Sequence, residues 1–406
     1  MAQGTLYALT SSKSDARAPH LFDMMTFFPG NFCTFRSMIL FIVPSETQEV
    51  ICHMKETSLN VDFVIIGVNC EQTIERCISS VLAGSYPEHL LHIYYCDGGS
   101  TDSSTAIAHR FSQVTVFELN AEYPTPGAGR NQGWKNSTSP FVQFLDSDTL
   151  LDPHWLGKAV EAMHDERIGA VFGLRQEIHP EHSVYNWIGS LEWNGPAGES
   201  DSFGGDVCIR RSTLEQTNGY DETLVGGEDP ELSRRIIREG WRIIRLDAPM
   251  TMHDLAMTTV KQYMRRSFRS GYAYGAVRSR EAAAKSSFWK YDCQKIVIKS
   301  GGFLFFTALS ILLVLFSQPV TMKISALFLS LPGLSLLLSP RLFKVKKFMR
   351  EHHLNKKEAQ LYGWHCSLVV IPQFFGIIRF YVGKLFNKPL KNKRSHLKTA
   401  LSTAGS

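Results

Sequence analysis

Hydrophobic positions in the middle of the chain alternate between two periods and then merge into long unbroken runs toward its end. Val61-Asp-Phe-Val-Ile-Ile-Gly-Val68 is a nearly continuous apolar run, as in a strand covered on both faces, and Ile74, Ile78, Val81 and Leu82 follow at the spacing of one helix face. The β-to-α step repeats. Residues 92–96 read as a second strand, and Asp97-Gly-Gly-Ser-Thr-Asp102 as a turn able to cap a helix over 107–111. Residues 114–117 read as a third strand, 127–134 as a short helix, and Phe141-Val-Gln-Phe-Leu145 as a fourth strand running straight into Asp146-Ser-Asp148. A helix over 153–163 and a strand over 170–174 come next, and the Trp-, Gly- and Asn-rich segment 176–206 reads as a loop region suited to substrate. Asp229-Pro230-Glu231 has the pattern of an N-cap followed by a first-turn proline, with Leu232, Ile236 and Ile237 on one face, and a last strand covers 241–246. The pattern predicts an α/β, Rossmann-like nucleotide-binding domain over residues 57–254, with polar turns at the carboxyl ends of its strands.

Beyond that domain the character changes. Between Leu255 and Arg280 there are six basic residues and no acid, interleaved with Tyr263, Met264, Phe268, Tyr272 and Tyr274. Residues 255–299 therefore read as a basic amphipathic segment on an anionic membrane surface, the alternative being a solvated basic helix face. Lys299 and Lys323 enclose 23 uncharged residues, and Lys323 and Arg341 another 17. These predict a transmembrane helical hairpin over 300–340, the alternative being a buried helix pair. A third charge-free stretch, 359–378, contains His365, Pro372 and Gln373 and lies within the remaining segment 341–406, between a basic loop and a basic tail. Crossing would put those two on opposite sides, against the positive-inside rule, so a re-entrant or interfacial segment is expected.

Composition narrows the class. The 406 residues carry a formal charge of +5, with 44% hydrophobic and 20% charged residues, which excludes a disordered chain and gives nucleic acid no separate basic groove. Eight cysteines without a CxxC pair argue against structural zinc or a disulfide framework and for a reducing compartment. Residues 1–56 lack a signal-peptide pattern and have no assigned role; a translation start at Met54 would account for them.

The chemistry-bearing residues sit where strands end. Asp146 and Asp148 offer oxygen ligands for a hard divalent cation, Glu228 and Asp229 open a helix about 80 residues further on, and His253 follows the last strand. Each has a bland reading: turns are rich in Asp, a carboxylate at a helix start is often a cap, and a lone His is often structural.

Taken in order, the motifs resemble glycosyltransferase family 2, enzymes of GT-A fold with a mixed sheet that use nucleotide-diphosphate sugars. The resemblance covers 60 to about 275 and rests on Val-Ile-Ile-Gly-Val-Asn-Cys-Glu71, Asp97-Gly-Gly-Ser-Thr-Asp102, Gly129-Arg-Asn-Gln-Gly133, Asp146-Ser-Asp148, Arg210-Arg211 with Asn-Gly-Tyr-Asp221, Gly-Glu-Asp229 and His253. The C-terminal part is similar to that of membrane-associated members that build exopolysaccharide or lipid-linked glycans. The resemblance implies that Glu71 and Asp97 hold the nucleoside and Arg130 faces the diphosphate. It implies that Asp148 and His253, assisted by Asp146, bind Mg²⁺ or Mn²⁺, and that Asp229 is the general base of a single inverting displacement, with Glu228 sharing the role.

Trp193, Gly204, Gly205, Gln262 and Arg265 fall where the acceptor would run, with ordinary packing an equal reading for the aromatic and glycine positions. The chain departs from the family by lacking a tyrosine after the first strand and the tryptophan of the Gln-x-x-Arg-Trp motif, having Gln262-Tyr-Met-Arg265-Arg266 instead. The last departure, with so few apolar segments, leads us to expect single-sugar transfer rather than processive synthesis. The expected function is transfer to a lipid-linked or polysaccharide acceptor at the cytoplasmic membrane face. The alternatives are transfer to a polyprenyl phosphate, or an inactive membrane-anchored nucleotide-binding scaffold.

Overall fold

The computed structural model describes residues 59–120, 124–316 and 320–391. The N-terminal extension, with the start considered at Met54, and the end of the basic tail lie outside the described residues. The catalytic half is built on strands β1 (Val61–Gly67), β2 (Leu91–Asp97), β3 (Val114–Glu118), β4 (Phe141–Asp146), β5 (Thr149–Leu151), β6 (Ile168–Glu177), β7 (Gly198–Glu199), β8 (Val207–Arg210) and β9 (Arg242–His253). They form one mixed sheet in the order β3-β2-β1-β4-β8-β6-β9-β5, with β7 beside β9. β1 lies near its centre, and Val61, Phe63, Val64 and Ile65 are fully buried, as the apolar run predicts for a parallel strand covered on both faces.

Register brings the strand ends together. β1 pairs in parallel with β2 and β4, so that Gly67 stands opposite Asp97 and Ile66 opposite Asp146. The three polar turns after these strands therefore open on one edge, at the point where strand order reverses between β1 and β4. β9 returns along β6 in parallel and places His253 opposite both Glu177 and Thr149, next to Asp148. The sequence pattern ended this strand near 246; it continues to His253 across a register shift in which Leu174 pairs with Pro249, a bulge that accommodates the missing proline donor.

Helices α1 (Ile74–Leu82), α2 (Ser104–Ala108), α3 (Pro126–Asn136), α4 (Trp155–Ala162), α5 (Val184–Glu192), α6 (Arg211–Thr217) and α7 (Glu228–Arg238) accompany the sheet. α3 lies directly on β1 because Gly129 and Gly133, one turn apart, turn bare backbone toward Ile66 and Val64; a methyl at Gly133 would collide with Val64. α5 falls inside the segment expected to be loop: Ser183 caps it by accepting a hydrogen bond from the Asn186 amide at 3.0 Å, a signal obscured by the tryptophans and glycines around it. α7 begins two residues earlier than expected. Its cap is Gly227 at φ 85°, which puts Glu228, Asp229 and Glu231 in the first turn, where the helix dipole favours carboxylates.

The C-terminal half is all helix: α8 (Val260–Ala283), α9 (Lys290–Ile296), α10 (Gly302–Phe316), α11 (Val320–Phe328), α12 (Ser330–Phe343), α13 (Val345–Glu351), α14 (Lys356–Leu368) and α15 (Val370–Leu385). A π-helical turn, Val297–Gly301, joins α9 to α10. Among the described residues, three segments are long and apolar enough to cross a membrane: Lys290–Phe316, Val320–Glu351 and Lys356–Leu385. Their surfaces carry exposed Phe305, Leu315 and Leu385, a pattern suited to lipid rather than water.

The third stretch, expected to be re-entrant or interfacial, thus lies in a helical segment of 30 residues comparable with the first two. This stretch packs on protein at two of its polar residues. His365 bonds Glu192 and Tyr263, and the Gln373 backbone lies against Gly271. α15 and α8 cross with Gly271 and Gly376 at the contact, where a methyl on either glycine would strike the backbone of the other helix. α8 is therefore held between the sheet domain and the third apolar helix, its Glu281 bonded to Arg238 at 2.6 Å and its Arg280 to Asp221 at 2.6 Å.

Candidate active site

Asp146 ends β4, and its neighbourhood is organised by Arg130, which α3 carries beneath the strand edge. Arg130 is 2% exposed. Its guanidinium donates to Asp146 Oδ1 at 2.9 Å and to Glu228 Oε1 at 2.9 Å, and approaches Asp229 Oδ1 at 3.5 Å, while its other side stacks over the Tyr220 ring at 5.4 Å. The sequence expectation had Arg130 facing the diphosphate. Instead it lies under the carboxylates and ties β4 to the start of α7, because the glycines around it press α3 onto β1.

The same helix explains two motifs at once. Asn131 donates to the carbonyl of Tyr220 at 2.9 Å and accepts from its amide at 2.9 Å, holding the Asn-Gly-Tyr-Asp221 turn, where Asn218 and Gly219 both adopt left-handed backbone at φ 58° and 64°.

Asp148 stands two residues past Asp146, and its Oδ1 lies 3.3 Å from His253 Nε2. Ligating atoms of Asp146, Asp148 and His253 all fall within 4.8 Å of one another. His253 Nδ1 is buried without a hydrogen-bond partner, and the ring packs edge-on against Trp193 with centroids 5.1 Å apart. Two further charges complete the group. Asp206, fully buried after the Phe203-Gly-Gly205 turn, accepts from Arg175 at 2.6 Å and from Thr251 at 2.8 Å, and Arg175 stacks over Trp193 at 5.6 Å. Gly205 is bare where a Cβ would come within 2.6 Å of Asp146 Oδ2.

The crevice thus gathers five carboxylates, Asp146, Asp148, Asp206, Glu228 and Asp229, against two guanidinium groups, Arg130 and Arg175. The excess of negative charge moves proton affinities. Burial, reinforced by Glu228 and Asp146 and opposed by Arg130, pushes the Asp229 carboxyl up to about 8. Burial also raises Asp146, with Arg130 opposing. Burial alone would raise Asp148 as well, but the hydrogen bond and charge of His253 outweigh it and hold that carboxyl below its usual value.

At the other end of the crevice, Asp97 is buried, and its carboxylate is occupied by its own turn: Oδ2 accepts from the Gly99 and Ser100 amides at 2.8 Å each, and Oδ1 from Tyr95 and the Ser100 hydroxyl. Glu71 is exposed and accepts from the Ser103 amide at 3.0 Å, latching the start of α2. Asn69, at φ 52°, accepts from the Thr101 amide at 2.8 Å and joins the two turns.

The acceptor candidates divide. Trp193 packs against His253 and Arg175, Gly205 lies beside Asp146, and Gly204 has open space around it. Gln262 instead completes a capping box with Thr259 at the start of α8, and Arg265 is exposed without a hydrogen bond or ion pair among the described residues. The charge of its neighbour Arg266 is the one that acts on Asp148. Arg175, Asp206 and Arg266 escaped the sequence reading; the detectable signals were an arginine inside an apolar strand and an aspartate directly after a double glycine.

Comparison with known proteins agrees with this geometry. The family described as Glycosyl transferase family 2 matches residues 62–205, and Glycosyl transferase family group 2 matches 141–339. Between them they span more than half of the chain, which belongs to the family 2 glycosyltransferases. Among curated relatives it is 22% identical over 198 residues to glycosyltransferase AglE of Haloferax volcanii, covering 47% of this chain and 65% of the relative. It is 25% identical over 210 residues to the poly-beta-1,6-N-acetyl-D-glucosamine synthase of Staphylococcus aureus, covering 47% of this chain and 50% of the synthase. The chain thus spans between half and two thirds of the length of these relatives. Its fold is similar to that of the mannosyltransferase PcManGT from Pyrobaculum calidifontis, solved with GDP-Man and Mn²⁺, at a TM-score of 0.52 and 15% identity over 83% of this chain and 92% of that one. The architecture is the GT-A fold followed by C-terminal helices.

Proposed function

We propose that the protein is an inverting glycosyltransferase that moves one sugar from a nucleotide-diphosphate sugar to a lipid-linked or polysaccharide acceptor at the cytoplasmic face of a membrane. The observation that carries this is the convergence of Asp146, Asp148, His253, Glu228 and Asp229, from β4 and the turn after it, β9 and α7, on one crevice beside the β1/β4 switch point.

Asp148 and His253, with Asp146, fit a Mg²⁺ or Mn²⁺ ion: two carboxylates and an imidazole nitrogen lie within reach of one centre, in a site with surplus negative charge, and the missing side chain of Gly205 leaves Asp146 Oδ2 uncrowded. Bound there, such an ion neutralises charge on the departing nucleoside diphosphate. Asp97, Asn69 and Glu71 frame the end where the first two strands would receive the nucleoside.

Asp229 acts as base. Glu228 is engaged by Arg130 at 2.9 Å, whereas Asp229 Oδ1 is buried without a hydrogen-bond partner, so Asp229, which meets Arg130 only at 3.5 Å, is the less engaged carboxylate and the one able to take a proton. It accepts the proton of the acceptor hydroxyl as that oxygen bonds to the anomeric carbon from the face opposite the diphosphate, and the bond from that carbon to the diphosphate oxygen breaks. One displacement inverts the centre.

The membrane face follows from charge. Lys290, Lys295 and Lys299, with Lys344, Lys346 and Lys347, cluster at the ends of the first two apolar segments, the end at which Phe348 and Tyr362 pack with Ile188 of the catalytic domain. The positive-inside rule assigns that end to the cytoplasm.

The test is transfer by detergent-solubilised full chain over a panel of nucleotide sugars, with native membrane lipids as acceptors, with Mn²⁺ or EDTA. Metal-dependent turnover with inverted anomeric configuration is expected. No turnover with any donor would favour the scaffold, and a long polymer from the purified protein would refute single-sugar transfer.

A further inference from the structure

Several polar groups where the sheet domain meets the C-terminal helices are not explained by the catalytic crevice. Glu192, the last residue of α5, accepts from Tyr362 at 3.2 Å and faces His365 Nε2 at 3.0 Å, and His365 Nδ1 meets Tyr263 at 2.9 Å. The next residue, Trp193, packs against His253, and the charge of Arg266 acts on both Glu192 and Asp148. This network joins the crevice to the apolar helices.

On its far side lies a cavity of about 280 Å³, lined by the polar Glu192, His365 and Gln373 and the apolar Pro340, Phe348 and Val370. Lys295 and Lys344 line it too, and two exposed acids, Asp292 and Glu192, stand with them. Lys299 stands one turn beyond Lys295, and the charged groups acting on it are Lys295 and Lys344, both of its own sign. Its Nζ is buried without a hydrogen-bond partner, and so is the hydroxyl of the adjacent Ser300.

The Lys299 ammonium, withdrawn from solvent, unbonded and set beside two charges of its own sign, is a costly arrangement unless an anion completes it. Lys299 is carried by a π-helical turn, Val297–Gly301, an irregularity that concentrates at functional sites. A cavity lined by both polar and apolar side chains, placed where apolar helices meet the catalytic domain, suits an amphiphile.

We propose that this cavity seats the phosphate-bearing head of a lipid, with Lys295, Lys299 and Lys344 holding the phosphate and the Glu192–His365 side facing the crevice. That the lipid is the sugar acceptor rests on the glycosyltransferase reading; that the site binds a lipid phosphate does not.

The test uses the full chain in neutral phosphatidylcholine nanodiscs, titrated with a long-chain polyprenyl phosphate, with the matching polyprenol and with inorganic phosphate. Saturable binding of the polyprenyl phosphate is expected, with weaker binding of polyprenol and no competition from inorganic phosphate. Lys299→Gln/Lys344→Gln is expected to weaken the phosphate lipid about tenfold or more while leaving polyprenol and metal-dependent nucleotide binding unchanged. Unchanged lipid affinity in the double variant overturns the proposal, and so does non-saturable uptake that simply follows the anionic lipid content of the disc. Effective competition by inorganic phosphate would assign the site to a free anion and overturn the lipid reading. Lys344 is exposed, so Lys344→Gln alone decides the matter if the double variant does not fold: an unaltered affinity refutes the site. Lipid binding that persists while no donor is ever turned over would instead remove the glycosyltransferase reading and leave this site standing.

Discussion

The two halves of the molecule solve opposite problems. In the sheet domain the apolar side chains are inside and the chemistry stands at strand ends: Ile65 and Leu145 are fully buried, while Asp146 and Asp148, just beyond them, reach the crevice. In the helical half the large apolar side chains are outside, as with Leu315 and Leu385, and the polar ones, His365, Lys299 and Ser300, are turned inward. A polar residue therefore means different things in the two regions. At a strand end it is cheap to keep and meaningful only in company; inside an apolar helix it is costly to keep, and its partner is the informative part.

The comparison breaks first, and most severely, at the carboxylates. Asp229→Asn removes the base and is expected to lower transfer by about 10²–10⁴-fold with the far-UV spectrum unchanged. Activity near that of wild type would shift the role to Glu228.

The helical half breaks at its backbone contact. Gly376→Leu forces a side chain into the Phe268–Tyr272 backbone and is expected to destabilise by about 1–3 kcal/mol or more, read as a lower melting midpoint in detergent. A tolerated leucine would show that α8 and α15 do not pack as described.

Between these in subtlety lies pH. Asp229 must be unprotonated to act and holds its proton up to about 8, so kcat/KM is expected to rise on the order of tenfold per unit as pH increases toward 8 and then level off. A profile already flat at pH 6 would mean that the donor complex lowers this carboxyl or that another group is the base.

His365→Ala leaves Glu192 without its imidazole and is expected to cost about 1–2 kcal/mol in stability. Gln262→Ala removes one side of the capping box and is expected to cost about 0.5–1 kcal/mol without changing the acceptor KM; a raised KM would restore Gln262 to the acceptor site.

The same contrast governs what could be read from sequence. Strands β1 and β4 were legible because a parallel strand covered on both faces needs an unbroken apolar run, and their ends were legible because Asp follows directly. Arg130 was identifiable as a site residue but not as the buried hub beneath Asp146 and Glu228, since that depends on how closely Gly129 and Gly133 let α3 approach β1. Asp206 and Arg175 lie about 30 residues apart in sequence and meet only through sheet pairing, so the local signal at each could not show that they form a pair. In the helical half, hydropathy marked the apolar runs, but the place of His365 depended on Glu192, which is 173 residues away. Charge counting along a helix does not show which side chains find a partner.

The central claim is that Asp148 and His253 serve donor binding while Asp229 serves proton transfer. Calorimetric titration of the full chain with a nucleoside diphosphate, with and without Mn²⁺, tests it on wild type, Asp148→Ala and Asp229→Asn. Metal-dependent binding in the wild type, abolished in Asp148→Ala and retained in Asp229→Asn alongside lost transfer, is the predicted result. Equal nucleotide affinity in all three, independent of metal, would contradict the account.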